Sequence, residues 1–177
     1  QSAMVGKFNV ENIMGAFLAL SKLFPDRVSD LMSALKTFRG ARGRLERAGM
    51  GKSFDSTKHV FVDYAHTPDA LEKVLSTVKA LKAPSQNLWV VFGCGGDRDR
   101  GKRPLMGKIA QTLADFVVVT SDNPRTEKAD DILADIKNGM DALKAGTYQE
   151  VDRERAIGFA IGKMNPDDLL VIAGKGH

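Results

Sequence analysis

The stretch "NLWVVFGCGGDRDRGKRPLMGKIAQTLADFVVVTSDNPR", residues 87–125, decides the fold. It holds two short apolar runs, "LWVVF" and "FVVV", that are rich in β-branched residues and do not alternate with polar ones. Such runs read as strands buried on both faces, the signature of a parallel sheet. Between them "KRPLMGKIAQTLA" (Lys102–Ala114) reads as a helix with Pro104 near its start, where the missing N–H does no harm. Strand, loop, helix and strand make one βαβ unit.

The same alternation extends in both directions. "KHVFVDYAH" (Lys58–His66) reads as a strand running into a turn, and residues 68–83 as a helix opened by Pro68 with Asp69 in its first turn. Downstream, residues 129–145 and 152–164 read as helices and residues 168–174 as a last strand. The expected class is α/β, a mainly parallel sheet with helices on both faces. A short helical segment precedes it. Ile13, Phe17, Leu20 and Phe24 recur at helical spacing, as do Val28, Leu31, Leu35 and Phe38. The connector "RGARGR" (Arg39–Arg44) marks the expected boundary, giving a helical unit over 5–40 and the sheet domain over 41–177. "QSAM" (1–4) resembles a protease-cleavage scar with an added methionine, and a chain stopping at "VIAGKGH" just after a strand reads as a truncated domain.

Composition narrows the function. The chain has 177 residues, 43% of them hydrophobic, enough for a proper core in one ordinary domain or in one domain with an appendage. Its net charge of +4 is scattered rather than gathered into a stripe, which argues against nucleic acid and suits anionic small molecules. One cysteine, Cys94, excludes an internal disulfide and a cysteine-only zinc site; in a glycine loop it reads as a space-filler. Three scattered histidines make a poor metal site. No apolar run is long enough for a bilayer and no leader is recognisable, so the expectation is a cytoplasmic protein without a membrane partner. Trp89 and the methionines read as core, and "RERAIG" as a solvated helix face.

In parallel sheets ligands gather at the carboxyl ends of the strands. Four polar loops fall there: "DYAHTP", "GCGGDRDRGK", "SDNPR" and "GKGH". Gly96–Lys102 fits the spacing of a phosphate loop, yet Arg103 stands where that motif needs Ser or Thr, and Asp97 and Asp99 would repel phosphate. A G-x-G-x-x-G fingerprint fails because its third glycine would be Arg98. A second reading gives the arginines work. Arg98, aimed inward and braced by aspartates, and Arg125, on a turn fixed by Pro124 with the Asn123 amide beside it, can each present a planar fork to a carboxylate. A bland reading stays open, in which these arginines only pair with Asp97, Asp99 or Asp122.

Taken in order, "GKFNVENIMGA", "GRLE", "VDYAHTPDALE", "FGCGGDRDRGKRPLMG", "TSDNPRTE" and "AGKGH" resemble the Mur ligases, in the MurE branch that adds the third peptide residue of peptidoglycan. The resemblance runs from about Val5 to the end. It implies the last helices of a central ATPase domain followed by a Rossmann-like carboxy-terminal domain that brings the incoming amino acid. It implies ATP and Mg²⁺ as cofactors, held mainly by parts of the family enzyme outside this chain. Its implied partners are ATP, UDP-N-acetylmuramoyl-L-Ala-D-Glu and meso-2,6-diaminopimelate, which becomes joined to the D-glutamyl γ-carboxylate through an acyl phosphate. Arg98, Asp122, Asn123, Pro124, Arg125 and Gly174 then map to the diaminopimelate site. Asn9, Asn12, Arg44, Asp63 and His66 map to nucleotide contacts made on domain closure. The resemblance implies no covalent nucleophile in this chain, which alone is expected to be inactive. Alternatives are a lysine-adding enzyme, which lacks the "DNPR" arginine, and a stand-alone amino-acid-binding domain. With the neighbouring domain missing, Leu20, Leu23, Leu31 and Leu35 are expected to be unusually exposed.

Overall fold

The computed structural model describes residues 6–38, 40–48, 57–142 and 144–174. The suggested scar at 1–4, Arg39 of the connector, and Lys175, Gly176 and His177 of the last loop lie outside the described residues. Among the described residues six strands form one sheet: β1 (Glu46–Arg47), β2 (His59–Asp63), β3 (Leu88–Phe92), β4 (Phe116–Val119), β5 (Thr147–Gln149) and β6 (Leu169–Ala173). Their order is β1-β2-β6-β3-β4-β5. Every neighbouring pair is parallel except β1 with β2 at the edge. The helices are α1 (Lys7–Leu23), α2 (Val28–Thr37), α3 (Pro68–Lys79), α4 (Lys102–Leu113), α5 (Ala129–Lys137) and α6 (Arg153–Lys163).

The continuous apolar runs are explained by two cores. Val90, Phe92, Val117, Val119 and Val171 face α3, α4 and α5, which contribute Leu71, Leu75, Met106, Ile132 and Ile136. The alternate residues Val60, Trp89, Val91, Val118 and Leu170 face the other way, onto Ala156, Ala160 and Met164 at α6. Successive side chains of a strand point to opposite faces, so a strand covered on both sides has no polar positions to show. Burying each large aliphatic side chain contributes about 1.5–3 kcal/mol. Thr67 caps α3, accepting from the Ala70 N–H at 3.3 Å, and Asp152 caps α6, accepting from the Arg155 N–H at 2.9 Å.

The structure departs from the sequence reading at the margins. β1 and β5 were not anticipated, since two- and three-residue edge strands carry no hydrophobic period. The helix expected over 129–145 stops at Lys137, before the poor helix formers Asn138 and Gly139. The helix expected over 68–83 stops at Lys79. Met14 and Met32 are exposed, not core, because they lie on helices without a covering layer.

Those helices, α1 and α2, attach to the sheet domain at one end. Phe8 packs against the core and Asn9 is buried, but α2 has no buried residue. Leu20 is 38% exposed and Leu23 71%, as anticipated. Leu31 and Leu35 are half-buried instead, because they face Ile13 and Phe17 across the groove between the two helices.

At the amino end of the sheet one carboxylate ties three elements. Asp168, 1% exposed, accepts from the Asn87 N–H (2.7 Å), the Asn165 N–H (3.0 Å) and Trp89 Nε1–H (3.2 Å). Asp168→Ala strands these donors, each worth about 1–3 kcal/mol when buried unpaired, and should lower stability by about 3 kcal/mol. Urea unfolding followed by Trp89 fluorescence measures it; a loss below about 1 kcal/mol would mean that water replaces the carboxylate.

Candidate active site

β2, β6, β3 and β4 are parallel neighbours, so the loops after them emerge at one edge. The two loops flanking the β3–β4 pair are in direct backbone contact. A Cβ on Gly93 would lie 2.3 Å from the Thr120 carbonyl oxygen, and one on Gly96 1.9 Å from that of Pro124. No other residue fits either place. The Gly96 N–H donates to the Asn123 carbonyl at 2.8 Å.

A buried guanidinium locks this arrangement. Arg103, fully enclosed, donates from Nη1 to Glu127 (2.8 Å) and Asp135 (2.9 Å) and from Nη2 to Glu127 (2.7 Å). Nη2 also reaches the Gly95 carbonyl at 3.3 Å. Glu127 accepts the Asp97 N–H at 2.7 Å, and Asp97 accepts from the Thr126 hydroxyl at 2.6 Å. Arg103 beside it holds the Glu127 carboxyl down to about 2, and the Arg103 pKa is raised by the same pairing.

These bonds decide the phosphate-loop question. Within Gly96–Arg103 the N–H groups of Gly96, Asp97, Gly101 and Arg103 are spent on Asn123, Glu127, Asp99 and Arg100. Lys102 Nζ donates to the His66 carbonyl at 2.9 Å. A phosphate cradle needs those donors free. Arg103, at the position where the motif needs a hydroxyl, is the clamp of the loop.

The aspartates expected to brace Arg98 bind other groups: Asp97 takes Thr126, and Asp99 the Gly101 N–H at 2.8 Å. Arg98 and Arg125 are exposed, and among the described residues neither makes an ion pair. The bland reading, pairing with Asp97, Asp99 or Asp122, does not hold. Arg125 adopts φ 52°, in the left-handed region, with its N–H on Asn123 Oδ1 at 3.3 Å. This turn leaves the Asn123 amide group at the surface beside Pro124. Backbone strain of about 1–3 kcal/mol at an unpaired cation points to a site that uses it. Gly174 (φ 93°) closes the floor, its Cβ position 3.6 Å from the Gly93 carbonyl and 3.9 Å from that of Ala65. Arg98, Asp122, Asn123, Pro124, Arg125 and Gly174 therefore lie on one edge.

The second expected set is divided. Asn9, Asn12 and Arg44 line the groove between α1 and α2, a cavity of about 650 Å³. The Arg44 guanidinium lies 5.8 Å from the Tyr64 ring centre, and that ring meets His66 edge-on at 4.8 Å. His66 Nδ1 is 3.0 Å from the Tyr64 carbonyl. Asp63 is buried and accepts the Leu45 and Ala65 N–H groups, both at 2.8 Å; burial pushes its pKa up. It anchors the turn that carries Arg44. Cys94 is buried 3.7 Å from Met106 Sδ, with burial pushing its thiol up to about 11, so it is an inert filler. Among the described residues no group of three or more His, Cys, Asp or Glu is placed to hold a metal ion, and no helix is long and apolar enough to cross a membrane.

Sequence reasoning missed Tyr64, the Arg103 clamp and Arg153, which is no solvated helix residue: its Nη1 is enclosed and Nη2 donates to the Ala173 carbonyl at 3.0 Å. Arg103 and Glu127 are joined across a helix and a strand, a separation no local spacing signals. The clamp has a pH signature. A carboxylate held at about 2 instead of 4.5 contributes stability above the ordinary value and loses it as pH falls between the two. Glu127→Gln should therefore flatten the fall in urea midpoint between pH 4.5 and 2; slopes equal to the unaltered chain's would show the pairing to be idle.

Comparison with known proteins agrees with this geometry. The family model for "Mur ligase, glutamate ligase domain" matches residues 43–176. A UDP-N-acetylmuramoyl-L-alanyl-D-glutamate–2,6-diaminopimelate ligase of Chromobacterium violaceum is 43% identical over 177 residues, covering 100% of this chain and 34% of that protein. The enzyme of the same name from Synechococcus sp. WH7803 is 48% identical over 180 residues, covering 99% and 35%. A solved structure of a ligase of that name superimposes with TM-score 0.73 at 44% identity, covering 100% of this chain and 35% of that one. The chain thus spans about a third of the length of the relatives it matches. Its mostly parallel sheet and a family match over most of its length agree: the chain belongs to the Mur ligase family, through the glutamate ligase domain.

Proposed function

We propose that this chain is the amino-acid-delivering portion of a cytoplasmic, ATP-dependent peptidoglycan ligase. That ligase joins meso-2,6-diaminopimelate to the D-glutamyl γ-carboxylate of UDP-N-acetylmuramoyl-L-Ala-D-Glu. Residues 41–174 form the delivering domain, and α1 and α2 belong to the central domain, whose surface covers their exposed leucines. The observation that carries this reading is the pair of guanidinium groups, Arg98 and Arg125, free of ion pairs on two loops locked together by Arg103. Diaminopimelate brings two carboxylates, and two rigidly spaced forks suit them. The names of the relatives support the same substrate.

The chain's own residues bind and orient. Arg98 takes one carboxylate; Arg125, with the Asn123 amide, takes the distal one. Asp122 and the Gly174 backbone complete the pocket. This holds the remaining amine where domain closure can present it. The groove formed by Asn9, Asn12 and Arg44 receives part of the nucleotide, with His66 on the adjacent turn. MgATP, held mainly by the central domain, supplies the phosphoryl group that activates the γ-carboxylate as an acyl phosphate. None of the side chains described here needs to become covalently attached.

Arg125→Ala in the full-length protein tests the assignment. Losing a charge-assisted pair of about 1.5–3 kcal/mol should raise the KM for diaminopimelate at least about tenfold and leave that for ATP nearly unchanged. Preference for diaminopimelate over lysine should shrink by a similar factor, since lysine has no distal carboxylate. An unchanged preference would return Arg125 to a surface role.

A further inference from the structure

Arg153 is the first residue of α6, where a cation opposes the helix dipole. It lies on the face opposite α3–α5, beneath the strand ends. The chain before it is tied to the end of β4: the Ser121 N–H donates to the Val151 carbonyl at 3.2 Å, and the Glu150 N–H to that of Val119 at 3.1 Å. From there the side chain spans to the end of β6, with Nη2 on the Ala173 carbonyl at 3.0 Å. Ala173 immediately precedes Gly174. Nη1 is enclosed and has no hydrogen-bond partner. Burial pushes the Arg153 pKa down, an effect that the charge of Asp122, at the head of the "DNPR" turn, partly offsets.

A buried N–H of a cation without an acceptor is costly, and a helix N-terminus adds to the penalty. Nothing in the packing of α6 needs it; Ala156, Ala160 and Met164 supply that contact. The group bridges two strand ends of the candidate site: its Nη2 holds the residue before Gly174, and the chain two residues before it is bonded to Ser121, which precedes Asp122.

We infer that Arg153 is a positioning residue of the amino-acid site, its Nη2 fixing the Gly174 turn and its Nη1 reserved for the Asp122 carboxylate in the loaded state. Asp122 is then aimed at the substrate. Arg153 does not itself touch the substrate; its effect passes through Asp122 and Gly174. The inference rests on the ligase reading above.

The experiment uses the full-length protein with Arg153→Met, Arg153→Lys, Asp122→Asn and the double variant Arg153→Met/Asp122→Asn. KM for meso-diaminopimelate, KM for ATP, turnover and thermal midpoint are measured for each. Arg153→Met and Asp122→Asn should each raise the diaminopimelate KM about tenfold or more, with the ATP KM within about twofold of the unaltered protein. The double variant should fall well short of the product of the two single effects, because the two changes share the Arg153–Asp122 contact. Arg153→Lys keeps the charge but has no fork to serve both Ala173 and Asp122, so it should raise the same KM by a smaller factor; it carries the test if Arg153→Met does not fold. Unchanged diaminopimelate KM in Arg153→Lys or Arg153→Met overturns the inference, as do effects of the two single changes that multiply in the double variant. A fall in thermal midpoint with ATP and diaminopimelate KM raised alike also overturns it, leaving a structural role. If the unaltered full-length protein incorporates no diaminopimelate at all, the ligase reading itself fails.

Discussion

The contact on which the site depends is the bidentate pair between buried Arg103 and Glu127, shared with Asp135. It joins the start of α4 to the loop after β4, and through the Asp97 N–H it draws the loop after β3 into the same cluster. A buried guanidinium is tolerated when most of its donors are met, and four acceptor atoms take bonds from its two Nη groups here, leaving the enclosed Nε–H without a partner. With the two loops fixed by this clamp and by the glycine contacts at Gly93 and Gly96, the turn at Arg125 has little freedom to relax its left-handed backbone.

A division of labour between charges follows. Three of the four acidic groups of the "GCGGDRDRGKRP" and "DNPRTE" segments are consumed internally: Asp97 by Thr126, Asp99 by Gly101, Glu127 by Arg103. Two cations, Arg98 and Arg125, are left over at the same edge. A surplus of positive charge on rigid turns is what an anionic ligand needs, because no protein salt bridge has to break before it binds. The chain's net charge of +4 is modest, so its placement matters more than its size.

Much of this was legible in the sequence. The unbroken runs "LWVVF" and "FVVV" announced strands covered on both sides, and Pro68 and Pro104 marked helix starts that the structure contains. Convergence of the first three loops and Gly174 on one edge followed from parallel order alone. What could not be read were relations between distant residues. Arg103 looked like a defect in a phosphate loop until its partners, 24 and 32 residues away, were in place. Arg153 looked solvated because helical periodicity does not reveal that a strand end lies above it. β1 and β5 escaped because edge strands of two or three residues take their shape from their neighbours.

The central claim is that two unpaired forks on one locked edge select an amino acid with two carboxylates. Competition between meso-diaminopimelate and L-lysine in the unaltered full-length protein, supplied with UDP-N-acetylmuramoyl-L-Ala-D-Glu and ATP, measures it most directly. The account predicts that diaminopimelate is incorporated at least about thirtyfold more efficiently in kcat/KM, since about 2 kcal/mol or more of charge-assisted pairing is available to it alone. Comparable incorporation of lysine would contradict it.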